Sequence, residues 1–127
     1  MNETAVPILI VEDEPDIARL LTVALHNDGY AVHAVHTGKD ALAYVAANPV
    51  QAIISDIHLP DTHGLMLSQQ LRAAVGPLPP ILILSGDSSM SVINSLSQAG
   101  ATYYFRKPVD IRQLLDRVGE LLAVAKA

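Results

Sequence analysis

Residues Val50–Gly64 read VQAIISDIHLPDTHG, and this stretch decides the fold. Val50–Ser55 is a short apolar run with Pro49 before it and polar residues after it, the pattern of a buried strand. It runs into a carboxylate, Asp56, and then into a loop carrying Pro60 and Gly64. A strand that stays apolar to its carboxyl end and then presents an acid puts that acid at the rim of a sheet. In open α/β sheets, ligands bind in the crevice outside the carboxyl ends of the strands. Asp56 is therefore expected to be the reactive group.

The same pattern repeats on either side. Val6–Val11 (VPILIV) is a first strand, with a proline tolerable near its start. Glu12, Asp13 and Glu14 follow, and Pro15 with acids beside it signals a helix start. Ile17, Leu20, Leu21, Ala24 and Leu25 recur at helical spacing until Asn27-Asp28-Gly29 stops the helix. Tyr30–Val35 is a second strand of weak alternation. Thr37-Gly38 turns into a helix over Lys39–Ala47, with Ala41, Leu42, Val45 and Ala46 as its apolar positions. Beyond Asp56, a third helix spans Leu65–Ala74, facing the core with Leu67, Leu71 and Ala74. Ile81–Leu84 (ILIL) reads as an interior strand covered on both faces. Ser88–Gln98 is a polar fourth helix without charge, and Thr102–Arg106 is a fifth strand. Asp110 caps a last helix striped by Ile111, Leu114, Leu115, Val118, Leu121 and Leu122. Five strands alternating with five helices over short connections imply an α/β domain. Its sheet is parallel, its crossovers are right-handed, and helices cover both faces.

Composition excludes several function classes. With 127 residues the chain is long enough for one domain with a real core. No run approaches the ~18–20 apolar residues of a membrane span, and Met1–Ala5 does not resemble a signal peptide. The absence of cysteine rules out disulfides and thiolate metal sites and fits a reducing cytosol, so a cytoplasmic location is expected. A net charge of −5 with no basic run argues against direct nucleic-acid binding.

The residues just after the strands carry the chemistry. Strand one is followed by Glu12-Asp13, strand three by Asp56, strand four by Ser85 and strand five by Lys107. A parallel sheet brings all its carboxyl ends to one edge, so three acids, a hydroxyl and an ammonium should converge. Like carboxylates raise one another's pKa, and a divalent cation resolves the conflict. An all-oxygen ligand set with few side chains suits Mg²⁺, with Mn²⁺ as a substitute. A carboxylate beside a metal, a lysine and a hydroxyl is a competent phosphoryl acceptor. Taken singly, each residue has an ordinary use: helix-start acids favoured by the dipole, a serine cap, a solvated lysine, a turn aspartate. Their joint placement at successive strand ends favours a site.

With these residues in place, the chain resembles the receiver domain of two-component response regulators. The resemblance runs from about Pro7 to Leu122 through VEDE, DIHLPDTHG, LSG and GATYYFRKP. It implies a flavodoxin-like doubly wound sheet of order 2-1-3-4-5 and a single receiver domain over residues 1–127 with no effector domain in the chain. It also implies that Glu12 and Asp13 hold the metal, Asp13 directly, and that Asp56 is the phosphorylated aspartate and a metal ligand. The backbone carbonyl of His58 would complete the protein's ligands. Ser85 matches the switch hydroxyl and Lys107 the phosphate-pairing lysine, joined to Pro108 by a cis peptide. Tyr104, three residues before Lys107, matches the switch aromatic. His58 and Asp87 match positions that tune the lifetime of the phosphoryl group. The donor implied is a phosphohistidine on a histidine kinase or a histidine phosphotransfer protein. Such a domain is a signalling module, not an enzyme acting on a separate substrate, although it catalyses its own aspartyl phosphorylation and dephosphorylation.

Output in this family runs through Ser85 and Tyr104 to the Ser88–Gln98 helix, the fifth strand and the last helix. Serine-rich Ser88–Gln98 is a poor helix former and thus a plausible bistable element, although low propensity on a solvent-facing helix accounts for it nearly as well. Tyr103, Arg106, Arg112, Asp116 and Arg117 offer contacts to a downstream protein or an effector domain, and phosphorylation-linked dimerisation through the last helix is compatible with the pattern. Other readings fit less well. A flavin-nucleotide carrier needs a phosphate loop where Glu12-Asp13-Glu14 stands, and an aspartate-based hydrolase wants an acid where His58 stands. The remaining alternative is a pseudo-receiver that binds a partner without phosphorylation. His26, His33, His36 and His63 share no metal-ligand spacing and are expected in surface or packing roles.

Overall fold

A computed structural model of the chain describes residues 5–62, 64–75, 79–86 and 103–126. The elements are β1 (Pro7–Val11), α1 (Pro15–Asn27), β2 (Ala31–Val35), α2 (Gly38–Ala47), β3 (Ala52–Asp56), α3 (Gly64–Val75), β4 (Ile81–Ser85), β5 (Tyr103–Arg106) and α4 (Ile111–Lys126). The expected Ser88–Gln98 helix, Asp87 and His63 lie outside the described residues.

The strands form one parallel sheet of order β2-β1-β3-β4-β5, the doubly wound order expected. Alternation along each strand sorts its side chains between two cores. Ile8 and Ile10 of β1, Ile54 of β3, Leu82 and Leu84 of β4 and Phe105 of β5 face Leu21 and Leu25 of α1 and Leu114, Val118 and Leu122 of α4. Leu9, Val11, Ile53, Ile81 and Ile83 face the other way, onto Ala41 of α2 and Leu67 and Leu71 of α3. Each fully buried Ile or Leu contributes about 1.5–3 kcal/mol of transfer free energy. Strands β1, β3 and β4 are buried on both faces, which is why they read as unbroken apolar runs. The edge strand β2 is only lightly covered, which explains its weak pattern.

Helix ends follow local chemistry. Pro15 opens α1, and Gly29, at φ 98°, supplies the left-handed residue just beyond its end. Asp110 accepts the Gln113 N–H at 3.2 Å and so caps α4. Three of the apolar helix positions picked out by spacing, of which Ala74 is the one expected to face the core, are not buried. Leu20 is 55 % exposed, and Ala46 and Ala74 are exposed, because a helix lying on a sheet buries only a narrow stripe. Ala18 is buried in α1 instead. Leu20 sits at the margin of a shallow apolar groove lined also by Ile17, Pro108 and Ile111. Among the described residues, no helix is long and apolar enough to cross a membrane.

Candidate functional site

Strand register builds the site. Val11 of β1 pairs with Ser55 of β3, so the next residues along, Glu12 and Asp56, stand side by side at the carboxyl edge. Asp56 is the last residue of β3 and lies level with Leu84 of β4, while Ser85 ends β4 level with Arg106 of β5. The main chain at this edge is held across strands. Glu12 N–H donates to the Val35 carbonyl at 3.0 Å, Ile57 N–H to Leu84 at 2.9 Å and Lys107 N–H to Ser85 at 2.8 Å. His36 Nδ1–H donates to the Glu12 carbonyl at 2.8 Å, so the last residue of β2 and the one after it hold both main-chain groups of the residue next to Asp13.

The side chains meet as the strand ends require. Lys107 Nζ lies 3.1 Å from Asp56 Oδ2, 3.2 Å from Glu12 Oε1 and 3.9 Å from Glu14 Oε1. Glu12 is fully buried, Asp56 almost so, and Lys107 is 20 % exposed. Glu12 Oε2 accepts the Glu14 N–H at 3.1 Å, and Asp56 Oδ1 accepts the His58 N–H at 3.4 Å. One carboxylate oxygen from each of Glu12, Asp13 and Asp56 lies within 4.8 Å of the other two. The Lys107–Pro108 peptide is cis.

The electrostatics follow from this crowding. Burial pushes the Glu12 carboxyl up to about 7, and the neighbouring Asp56 charge adds to the rise; the Glu14 N–H and Lys107 pull the other way without cancelling it. Burial by itself would lower Lys107. The hydrogen bond and charge of Asp56, and then those of Glu12, outweigh it and hold the ammonium above its ordinary value. One ammonium thus stands between Glu12, just beyond β1, and Asp56, at the end of β3, with Asp13 in the same acidic cluster. The donors are all oxygen and the charge is in excess, so the cluster fits a hard divalent cation.

Of the residues singled out in the sequence, Glu12, Asp13, Asp56 and Lys107 come together. Ser85 is fully buried at the end of β4 and joined to Lys107 through the main chain. His58 is exposed and stands two residues beyond Asp56 on the loop side, with its N–H on the Asp56 carboxylate. Tyr104 packs, partly buried, against the core between the sheet and α2/α3. On the α4 side, Arg117 lies over the Tyr103 ring at 4.2 Å and pairs with Glu120 at 3.1 Å. Sequence reasoning gave no role to Asp61 or to the bond from His36. Both act on backbone groups more than 20 residues away, at separations of 22 to 24, and no local pattern announces such a partner.

Comparison with known proteins agrees with this geometry. The family model described as "Response regulator receiver domain" matches residues 8–119. The uncharacterised transcriptional regulatory protein YkoG of Bacillus subtilis is 37 % identical over 111 residues, covering 87 % of this chain and 48 % of the relative. The response regulator MprA of Mycobacterium bovis is 34 % identical over 122 residues, covering 96 % of this chain and 53 % of the relative. The chain thus spans about half the length of these curated relatives. Among solved structures, a CheY-like response regulator receiver domain protein from Methanospirillum hungatei superposes with a TM-score of 0.91 at 28 % identity, covering 97 % of this chain and 98 % of that one.

Proposed function

Because the chain belongs to the response regulator receiver family, we propose that it accepts a phosphoryl group on Asp56 from a phosphohistidine donor, a histidine kinase or a histidine phosphotransfer protein. The observation that carries this reading is the Lys107 ammonium standing between the buried Glu12 and Asp56 carboxylates, with Asp13 beside them. In the transfer, an Asp56 carboxylate oxygen bonds to phosphorus as the phosphorus–nitrogen bond of the donor breaks, and that electron pair returns to the donor imidazole. The requirement is chiefly alignment and neutralisation of the phosphoryl oxygens. Lys107 supplies a fixed positive charge 3.1 Å from the accepting carboxylate. Ser85, at the neighbouring strand end, is assigned to receive a phosphoryl oxygen on its hydroxyl. Asp13, Asp56 and Glu12, with the His58 backbone carbonyl, would hold Mg²⁺ or Mn²⁺, which when bound neutralises further phosphoryl charge.

Phosphorylation would then act through Ser85 and Tyr104 on β5 and α4, the face offered to a downstream protein or an effector domain, or to a second copy. The names of the curated relatives are those of transcriptional and response regulators, which supports a regulatory output of this kind. The complete set of acids, hydroxyl and lysine disfavours a pseudo-receiver.

Incubation with acetyl phosphate or beryllofluoride, with and without Mg²⁺, tests the reading. Labelling should require the cation and be lost in Asp56→Asn while the fold persists. Cation-dependent labelling of Asp56→Asn, or none of the parent, would overturn it.

A further inference from the structure

Asp61 has no part in the chemistry above. It lies in the loop after β3, and its two carboxylate oxygens accept the N–H groups of Gly38 at 2.8 Å and Lys39 at 2.9 Å, the first two residues of α2. Thr37 Oγ1 accepts the next N–H, that of Asp40, at 3.0 Å. Three of the four donors that a helix start leaves without intrahelical partners are thereby satisfied, two of them from a distant loop. The contact is close enough to dictate residue type. A Cβ built on Gly38 would overlap the Thr62 Cγ2 methyl. The Leu59 N–H donates to the Thr62 carbonyl at 3.1 Å, closing the loop on itself. The other end of the loop is pinned by Ile57, buried and bonded to Leu84. His58 sits between these two anchors.

We infer that Asp61 is a positioning residue: by clamping the loop onto the start of α2 it sets where the His58 backbone stands beside Glu12, Asp13 and Asp56, and so sets the affinity of that cluster for a divalent cation. The inference rests on the reading of the cluster as a cation site. Helix α2 already has a local cap in Thr37, so the two bonds from Asp61 chiefly order the loop. The fixed partial positive charge of the helix start stabilises the carboxylate there. In keeping with this, the Gly38 bond, followed by that of Lys39, holds the Asp61 carboxyl below its usual value. A residue that orients a ligand from behind typically changes metal affinity about 10–100-fold when removed.

The test is calorimetric titration of Mg²⁺ into the full chain, with amide hydrogen exchange at Gly38 and Lys39 in the metal-free protein. Asp61→Ala should weaken Mg²⁺ binding about tenfold and speed exchange at both amides. Gly38→Ala should weaken binding from the other side of the same contact. Adding Thr62→Ser, which removes the obstructing methyl and keeps the hydroxyl, should restore it. A merely structural role would lower stability and leave the dissociation constant in place. Mg²⁺ affinity within about twofold of the parent in Asp61→Ala overturns the inference. If that variant does not fold, unchanged affinity in Gly38→Ala, or no rescue by Thr62→Ser, overturns it instead. A parent chain that binds no Mg²⁺ overturns the cation-site reading and this inference together, so the two failures are distinguishable.

Discussion

Raising the pH should destabilise the metal-free protein through one side chain, and Glu12→Gln should remove that part of the pH dependence. Glu12 is fully buried, and its carboxyl is raised from 4.5 to about 7, first by burial and further by Asp56. Between those two values the folded protein keeps a proton that the unfolded chain has released, so stability falls as pH rises through the window. The difference, 7 − 4.5 = 2.5, at ~1.4 kcal/mol for each pH unit, amounts to about 3 kcal/mol. Lys107, with its value raised, remains charged throughout and contributes a constant amount. The assay is urea unfolding of parent and Glu12→Gln in the presence of a chelator, from about pH 5 to about pH 8. Subtracting one protein from the other cancels the histidines. Glu12→Gln should gain on the parent by about 3 kcal/mol across that range, and Asp56→Asn, which leaves Lys107 wholly to Glu12, should shrink the gain. A difference that changes by less than about 1 kcal/mol would refute the claim that Glu12 is forced to ionise in a buried site.

Lys107→Met removes the cation between two buried carboxylates and should cost about 3 kcal/mol or more by the same unfolding measurement, with the larger loss at high pH where Glu12 is charged; an equal loss at low and high pH would show that packing of the lysine stem is what matters. Leu21→Ala should cost about 2–5 kcal/mol, whereas Leu20→Ala, one position along and 55 % exposed, should stay within about 0.5 kcal/mol. Comparable losses for the two, read as shifts in the denaturation midpoint, would mean that α1 sits on the sheet by a different face.

The alternation of strand and helix was legible because its causes are local. Residues that must be buried on both faces of a sheet have to be apolar in succession, as in Ile8–Val11 and Ile81–Leu84. Turn and cap residues such as Gly29 and Asp110 advertise themselves by their own backbone needs. The convergence of Glu12, Asp13, Asp56 and Lys107 followed from topology alone, since parallel strands share one carboxyl edge. Helix faces were read less well. Leu20 and Ala74 fit a helical repeat, but how far a stripe extends depends on what packs beside it, and here their side is left open.

By itself, then, the order of apolar runs and polar breaks determined the sheet, its parallel sense and which acids and lysine would meet, because each depends on the chain's own periodicity. Only the folded arrangement decided that Lys107 bridges Glu12 and Asp56, that burial raises Glu12, and that Asp61 reaches back to Gly38 and Lys39. These depend on distances between residues far apart in the chain and on the exclusion of water from between them, and neither quantity exists until the layers have packed.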